Sequence, residues 1–471
     1  MSRLPLEQFI KSVLPETALR QALFPADLAI SVDSRTLQAG EIFVALSGAN
    51  VDGHQFVAEA VNKGAAGLII ADSQQDILST IDQKRLAKML VLVVPKPLDA
   101  LIQLASAWRA RFTYPVVGIT GSVGKTSTKE LLAHIMNESG MPYIASLGNQ
   151  NTLVGVCINL LRMRSEHQCA IFEVGINRRG EMAHVVRILQ PTTGIITTIG
   201  HAHMEGLGTV GDIAAEKRML FSLFKADNVG VIHGDQSLLA AVSYSHPVIK
   251  FGAKTTNQIQ ARKVRVSAQE TTFILKLYGY KQSISLPSNH SGAVHNSLAA
   301  IAMAYHLNVP TQTILAAIAK PVVVEGRFEP RSLRIRPGIV INDCYNANPE
   351  SMKASLLAFQ KIQTPAQKIA VLGDMRELGQ SAPFWHRQLG RFLRKVPSLQ
   401  RVVLIGDMVV WMKKTVPINV VVDHVANWQE AHLLLENIVE KDAVILVKGS
   451  RSMGLNNLVD ALSNVRGSDI L

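Results

Sequence analysis

Val116-Val117-Gly118-Ile119-Thr120-Gly121-Ser122-Val123-Gly124-Lys125-Thr126 is the stretch on which the fold of this 471-residue chain turns. Its first five residues read as a short buried strand. Leu131, Leu132, Ile135 and Met136 then space as the apolar stripe of a helix that begins near Ser127 and ends near Gly140. Strand, glycine loop, lysine, hydroxyl and helix in this order make a cradle for the phosphates of a nucleoside triphosphate. Gly121 and Gly124 let backbone N–H groups converge on phosphate oxygens, and the helix N-terminus adds partial positive charge. Lys125 is placed to reach the β- and γ-phosphates, and Thr126 to put its hydroxyl on Mg²⁺. The spacing departs from the common form, since position 119, five before Gly124, is Ile.

Composition sets the scale around this loop. A length of 471 residues predicts about three domains. Hydrophobic content of 48% against 18% charged describes a globular protein with ample core. The formal charge is +12 and the sequence pI about 9.6. Lys and Arg are nevertheless dispersed, with no basic run and no basic–aromatic interleaving. Anionic small molecules are therefore the expected partners, and nucleic acid is not. Cys157, Cys169 and Cys344 have neither metal-binding nor disulfide spacing and suit a reducing compartment. The segment 1–14 lacks a cationic stretch followed by a long apolar one, so no signal peptide is expected. The apolar runs 89–94 and 408–412 are strand-length and predict no membrane span. A cytoplasmic protein is expected.

Three blocks follow. Residues 1–97 carry strand candidates 41–46, 67–71 and 90–94 and a helix near 56–63, with Pro95-Lys96-Pro97 as a linker. Residues 98–320 open on a helix with apolar face Leu98, Leu101, Ile102, Ala105 and Trp108. They continue through the phosphate loop with strand candidates 170–174 and 194–199. Residues 321–471 alternate strands 339–342, 369–372, 401–405, 418–422 and 443–447 with helices. The fold class is α/β: an N-terminal α/β domain, a central P-loop-type domain on a mostly parallel sheet, and a C-terminal Rossmann-like α/β domain.

Polar groups cluster at the C-terminal ends of these strands, where open α/β sheets place their sites. Glu173 reads either as a Mg²⁺ ligand or as a solvated strand end. His201 and His203 read as a metal pair or as structural residues. Lys217, on a helix, is by itself an ordinary surface lysine. Asp343-Cys344-Tyr345-Asn346-Ala347-Asn348-Pro349 concentrates more donors and acceptors than a helix cap needs. Lys448-Gly449-Ser450-Arg451-Ser452 offers cations for a carboxylate, or forms a plain turn between strand and helix.

Together these segments resemble the Mur ligases of peptidoglycan synthesis over nearly the whole chain. Asp33-Ser34-Arg35-Thr36, the segment 40–46 and Asp52-Gly53-His54 are similar to the family's uridine-nucleotide domain, which implies that Ser34 and Arg35 contact the UDP substrate. Thr120 to Thr126 matches the family's own phosphate loop. Tyr345-Asn346-Ala347-Asn348-Pro349, Gly373-Asp374-Met375-Arg376-Glu377-Leu378-Gly379 and Lys448-Gly449-Ser450-Arg451 resemble the branch that joins D-alanyl-D-alanine to UDP-N-acetylmuramoyl-tripeptide. Another amide ligase of the superfamily, tripeptide-forming or folylpolyglutamate-forming, is the alternative.

The resemblance implies an ATP-dependent ligase that works through an acyl phosphate. It uses two Mg²⁺ ions and takes the UDP-tripeptide and D-alanyl-D-alanine as partners. A monomer is expected. ATP contacts fall on Thr120, Gly121, Ser122, Val123, Gly124, Lys125, Thr126, Asn296, Arg327 and Asp343. Metal ligands fall on Thr126, Glu173, His203 and Lys217, the last as a lysine carbamylated by CO₂. Catalytic roles fall on Lys125, His203 and Lys217, and contacts to D-alanyl-D-alanine on Tyr345, Asn346, Asn348, Lys448 and Arg451. The placement further implies that 321–471 closes over 98–320 when ATP binds. Departures from the family's usual pattern are Thr152, Cys157, Gly292, Ala293, and His233 where an Asn is common.

Overall fold

The structure, a computed structural model, describes residues 6–15, 18–20, 28–48 and 51–463. The first five residues of the segment read for a signal peptide lie outside the described residues. By its internal contacts the chain divides into two compact units. One comprises Met1–Gly118, Met141–Gly175 and Met182–Thr192; the other comprises Ile119–Gly140, Ile176–Glu181 and Thr193–Leu471. No helix among the described residues is long and apolar enough to cross a membrane.

Three sheets carry the architecture. The first has strands β1 (Ala18–Arg20), β2 (Ile30–Ser31), β3 (Ile42–Val44), β4 (Gly67–Ala71) and β5 (Leu90–Val94), in the order β1-β5-β4-β3-β2. β2 to β5 pair in parallel, and β1 is antiparallel to β5. β4 and β5, Gly-Leu-Ile-Ile-Ala and Leu-Val-Leu-Val-Val, are buried at every position, as parallel strands covered on both faces must be. Pro97, expected in a linker, instead starts the helix Pro97–Arg109, where its missing N–H costs nothing. That helix buries Ala100, Leu101, Leu104, Ala105 and Arg109, so its inward face is rotated from the expected one. Arg109 is tolerated inside because its guanidinium donates to the carbonyls of Leu189, Phe112 and Gln190.

The second sheet has nine strands: β6 (Val116–Thr120), β7 (Tyr143–Ala145), β8 (Cys169–Glu173), β9 (Thr193–Ile196), β10 (Val229–His233), β11 (Val248–Gly252), β12 (Ile259–Val266), β13 (Thr271–Leu277) and β14 (Tyr280–Leu286). Their order is β14-β13-β12-β11-β10-β9-β6-β8-β7. The sequence reading foresaw its parallel part and missed β12 to β14, an antiparallel meander. Its signal was there: β13 alternates between buried and half-buried positions, and Tyr278-Gly279 turns the chain with Tyr278 at φ +52°.

The third sheet, β15 (Glu329–Ser332), β16 (Gly338–Asn342), β17 (Lys368–Gly373), β18 (Arg401–Ile405), β19 (Val421–Val425) and β20 (Ala443–Lys448), runs β15-β16-β20-β17-β18-β19. All pairs are parallel except β15 with β16. The strand expected at 418–422 begins three residues later. Val420 N–H donates to Pro417 O at 3.0 Å in a turn that leaves Ile418 fully exposed. Met352, Leu356 and Phe359 pack one face of this sheet; Leu435, Leu458 and Leu462 pack the other.

Candidate functional site

The phosphate loop leaves β6 at Thr120 and enters the helix Lys125–Glu138, two residues before the expected start. Ser122 N–H and Val123 N–H donate to Thr198 O at 2.7 and 3.3 Å, and Ser122 Oγ donates to Gly200 O at 3.0 Å. Two glycines are required by close approach. A Cβ on Gly121 would lie 1.9 Å from Thr197 Oγ1, and one on Gly124, at φ +91°, 2.3 Å from Asn296 Oδ1. Lys125 Nζ donates to Gly121 O at 2.8 Å, which folds the ammonium back over the loop. Leu131 lines a cavity instead of the core stripe to which it was assigned.

That cavity, about 520 Å³, belongs to the second unit and lies within the usual range for a small-molecule site. Val123, Gly124, Asn296, Arg327, Asp343 and Lys448 are among its lining residues. Segments from both sides of residue 320 thus contribute to one concavity. Arg327 Nη2 donates to Thr126 Oγ1 at 3.3 Å, and the Arg327 guanidinium stands 3.9 Å from the Tyr345 ring centroid. Arg451 approaches the same ring at 5.3 Å. The Tyr345 ring thus attracts both guanidinium groups through its quadrupole.

Asp343 is buried and accepts from Phe328 N–H and from the Ser355 hydroxyl. Lys448, expected in a carboxylate pocket, is 1% exposed and stands 2.9 Å from Asp343 Oδ2. It also donates to the carbonyls of Asp343 and Asn346. Its charge is therefore matched by Asp343. Asn348 caps the helix Pro349–Lys361 by accepting from Ser351 N–H at 2.8 Å, and Asn346 Oδ1 accepts from Ala347 N–H at 2.8 Å.

The residues assigned to metal divide between the units. Thr126, His203 and Lys217 lie in the second; Glu173 lies in the first. Glu173 ends β8 fully buried. Its Oε1 accepts from Asn151 Nδ2 at 2.7 Å, and its Oε2 has no hydrogen-bond partner among the described residues. A buried carboxylate oxygen left open in this way is what a hard cation requires. His203 adopts the left-handed conformation, φ +57°, with Nδ1 at 2.5 Å from Glu377 Oε2. That contact leaves Nε2 as the ring's remaining ligand atom, the arrangement in which a carboxylate orients a metal-bound imidazole. Contact with His203 holds the Glu377 carboxyl below the usual range despite burial, and the Lys125 charge acts in the same direction. Lys217 is completely buried on the helix Val210–Arg218, not at the surface as its local sequence suggested, because packing of that helix turns it inward with Ile213 and Ala214. Taken one by one, the Thr126 hydroxyl of the second unit and the open Glu173 carboxylate oxygen of the first each suit a hard cation such as Mg²⁺, and the His203 imidazole is the softer donor.

In the first unit the Ser34 hydroxyl donates to Glu59 Oε2 at 2.9 Å, and exposed Arg35 is clasped by Asp33 through Nε and Nη2. His54 is buried between Asp52 Oδ1, 2.6 Å from Nδ1, and Ala71 N–H, which donates to Nε2. It therefore acts as a structural tie within that unit. Sequence reasoning gave no role to Glu377, nor to Glu350, whose Oε1 lies 2.5 Å from His201 Nδ1. Their partners are more than a hundred residues away, so no local pattern could pair them.

A glycine-rich phosphate loop at a strand end, a lysine folded over it, and an arginine delivered to its hydroxyl from the bend before β15 define a nucleotide-dependent phosphoryl-chemistry enzyme. Three family domains match in succession: "Mur ligase family, catalytic domain" over 29–109, "Mur ligase middle domain" over 119–304, and "Mur ligase, glutamate ligase domain" over 326–451. The UDP-N-acetylmuramoyl-tripeptide–D-alanyl-D-alanine ligase of Treponema pallidum is 32% identical over 93% of this chain and 94% of its own. A crystal structure of MurF from Acinetobacter baumannii superposes with TM-score 0.79 at 28% identity, covering 96% of this chain and 97% of that one. MurF ligase from Thermotoga maritima in complex with ADP superposes with TM-score 0.75 at 25% identity, covering 92% and 96%. The chain belongs to the Mur ligase family.

Proposed function

We propose that this chain joins D-alanyl-D-alanine to UDP-N-acetylmuramoyl-tripeptide at the cost of ATP, and that it does so in the cytoplasm. The observation that carries the reading is Arg327 from the third sheet's segment standing on the Thr126 hydroxyl of the phosphate loop. The full-length relatives that match are ligases of this activity. Residues 1–97 take the uridine nucleotide through Ser34 and Arg35, 98–320 take ATP, and 321–471 take D-alanyl-D-alanine through Tyr345, Asn346, Asn348 and Arg451.

A carboxylate is a poor electrophile because its leaving group would be oxide. In the first step a tripeptide carboxylate oxygen attacks the γ-phosphorus, the bond to the β-phosphate oxygen breaks, and ADP leaves. In the second the amine of D-alanyl-D-alanine attacks the acyl carbon and loses a proton. The C–O bond then breaks, and phosphate departs with the electron pair. Lys125 and Arg327 neutralise phosphate charge, which lowers the repulsion between two anionic reactants. Backbone N–H groups where the loop enters the helix Lys125–Glu138 orient the phosphates, and Asn296 and Asp343 bound the nucleotide cavity. Thr126, His203 and Lys217 of the second unit would hold Mg²⁺, and Glu173 of the first offers an open carboxylate oxygen to such an ion, which would supply further charge stabilisation when bound. An ammonium cannot ligate a cation, so Lys217 serves as its carbamate; the complete burial of this lysine supports that form. Glu377 orients His203.

The test is incubation with ATP, Mg²⁺, UDP-N-acetylmuramoyl-tripeptide and D-alanyl-D-alanine, followed by mass spectrometry for the pentapeptide. ADP release without that product would place the chain with other amide ligases of the superfamily. Carbamylation is read separately by ¹³C NMR after exchange with ¹³C-bicarbonate, with Lys217→Met as the silent control.

A further inference from the structure

Three groups with metal-binding atoms meet beside the nucleotide cavity, outside the machinery described above. His233 ends β10, Asp235 follows it, and His295 lies on the helix Gly292–His306 and lines the cavity wall. One ligand atom from each lies within 4.8 Å of the other two. His233 Nε2 and Asp235 Oδ2 are 3.9 Å apart, too far for a hydrogen bond. Two ligands of one tetrahedral ion, at bonds of about 2.0–2.1 Å, stand roughly 3.3 Å from each other, so the His233–Asp235 pair closes by about half an ångström and no pair in the set has to close by more than about 1.5 Å.

His233 makes this more than proximity. It is 6% exposed, and neither ring nitrogen has a hydrogen-bond partner among the described residues. The nearby Gln236 amide accepts from Ile199 N–H and donates to its carbonyl, both at 2.8 Å, which leaves only its second N–H to approach the His233 ring, and that approach falls short of a hydrogen bond. A buried imidazole with both nitrogens unmatched carries a desolvation cost that a ligand would relieve. Its ring is already oriented. Phe251 stacks parallel to it at 5.0 Å, and the His295 ring stands on it at 4.5 Å. Asp235 is likewise fixed. Its Oδ1 accepts from Lys254 N–H and Asn257 Nδ2, and its Oδ2 from Ala253 N–H. Each carboxylate oxygen has two lone pairs, so Oδ2 keeps one free for a cation.

We propose that His233, Asp235 and His295 form a binding site for a divalent transition ion of the Zn²⁺ class. Two imidazoles and one carboxylate select such ions over Mg²⁺, which prefers oxygen ligands and retained water. Burial holds both imidazoles below their ordinary pKa, His233 at about 4, so both present neutral lone pairs at neutral pH and release no proton on binding. An ion there ties the helix Gly292–His306, which also carries Asn296, to the end of β10.

The test is equilibrium dialysis of the metal-stripped full-length protein against Zn²⁺ in excess Mg²⁺, with bound zinc measured by mass spectrometry. His233→Phe keeps the ring volume and the stack on Phe251 while removing both nitrogens; His295→Gln removes the second imidazole. Circular dichroism checks that each variant is folded. The expected result is one fewer zinc per chain in either variant than in the wild type, and a Zn²⁺-dependent rise in melting temperature that only the wild type shows. Equal zinc content in wild type and a folded variant overturns the proposal. So does a wild type that binds no zinc, or one from which Mg²⁺ displaces it.

Discussion

Replacing Gly124 by Ala should damage this protein through a single contact. The new Cβ would stand 2.3 Å from Asn296 Oδ1, against about 3.4 Å for ordinary van der Waals contact. The Asn296 amide must therefore move by about an ångström, and overpacking of this kind costs about 1–3 kcal/mol. The backbone adds a second cost, since Gly124 sits at φ +91° and a side chain there costs roughly 1–2 kcal/mol. The total is about 2–5 kcal/mol. Gly140 is an internal control in the same unit. It follows the same helix at φ +71° with nothing within 4 Å of an added Cβ, so Gly140→Ala bears the backbone cost alone. Urea unfolding of the two variants should differ by roughly 1–3 kcal/mol. The double variant Gly124→Ala/Asn296→Ala should recover that difference, because the clashing amide is gone. If Gly124→Ala is no worse than Gly140→Ala, or if Asn296→Ala restores nothing, the reasoning from close approach is wrong.

Lys125→Ala should lower ligation by on the order of 10²–10³ while leaving the circular dichroism spectrum unchanged; near-normal turnover would remove Lys125 from phosphate chemistry. Lys448→Met strands the Asp343 carboxylate, which is 5% exposed, and should destabilise the third sheet's segment by about 3–5 kcal/mol in urea. An unchanged midpoint would mean that water reaches Asp343. His233 contributes a pH effect of definite sign. Burial depresses its folded pKa from 6.5 to about 4, so the unfolded chain binds the extra proton first. Stability is unaffected above pH 6.5 and falls as pH drops from 6.5 toward 4. His233→Phe should flatten the metal-free protein's stability profile in that window, and a profile identical to wild type would refute the assignment.

Much of the fold was legible because its signals are local. Strands such as β4 and β5 are short, wholly apolar runs bounded by turns, β18 is one after its first residue Arg401, and the parallel sheets followed from their alternation with helices. The misreadings were local conflicts that distant residues resolved. Tyr280–Leu286 has mostly exposed residues and reads as polar chain until β13 pairs with it. Arg109 breaks the apolar face of its helix and is inside only because carbonyls near residue 190 receive it.

For the site, the sequence by itself determined the phosphate loop, since Gly121, Gly124, Lys125 and Thr126 are adjacent and their backbone geometry is dictated by neighbours. It also determined the chain's membership in a ligase family through motifs such as 345–349. Only the tertiary structure decided the partners. It matched Lys448 with Asp343, stood Arg327 on Thr126 across two hundred residues of chain, gave His203 the Glu377 carboxylate, and left both nitrogens of His233 buried without a hydrogen-bond partner among the described residues. The physical reason is range. Backbone conformation is set within a few residues, whereas the pairing of buried charge and the exclusion of water depend on which distant strands the packed sheets bring together.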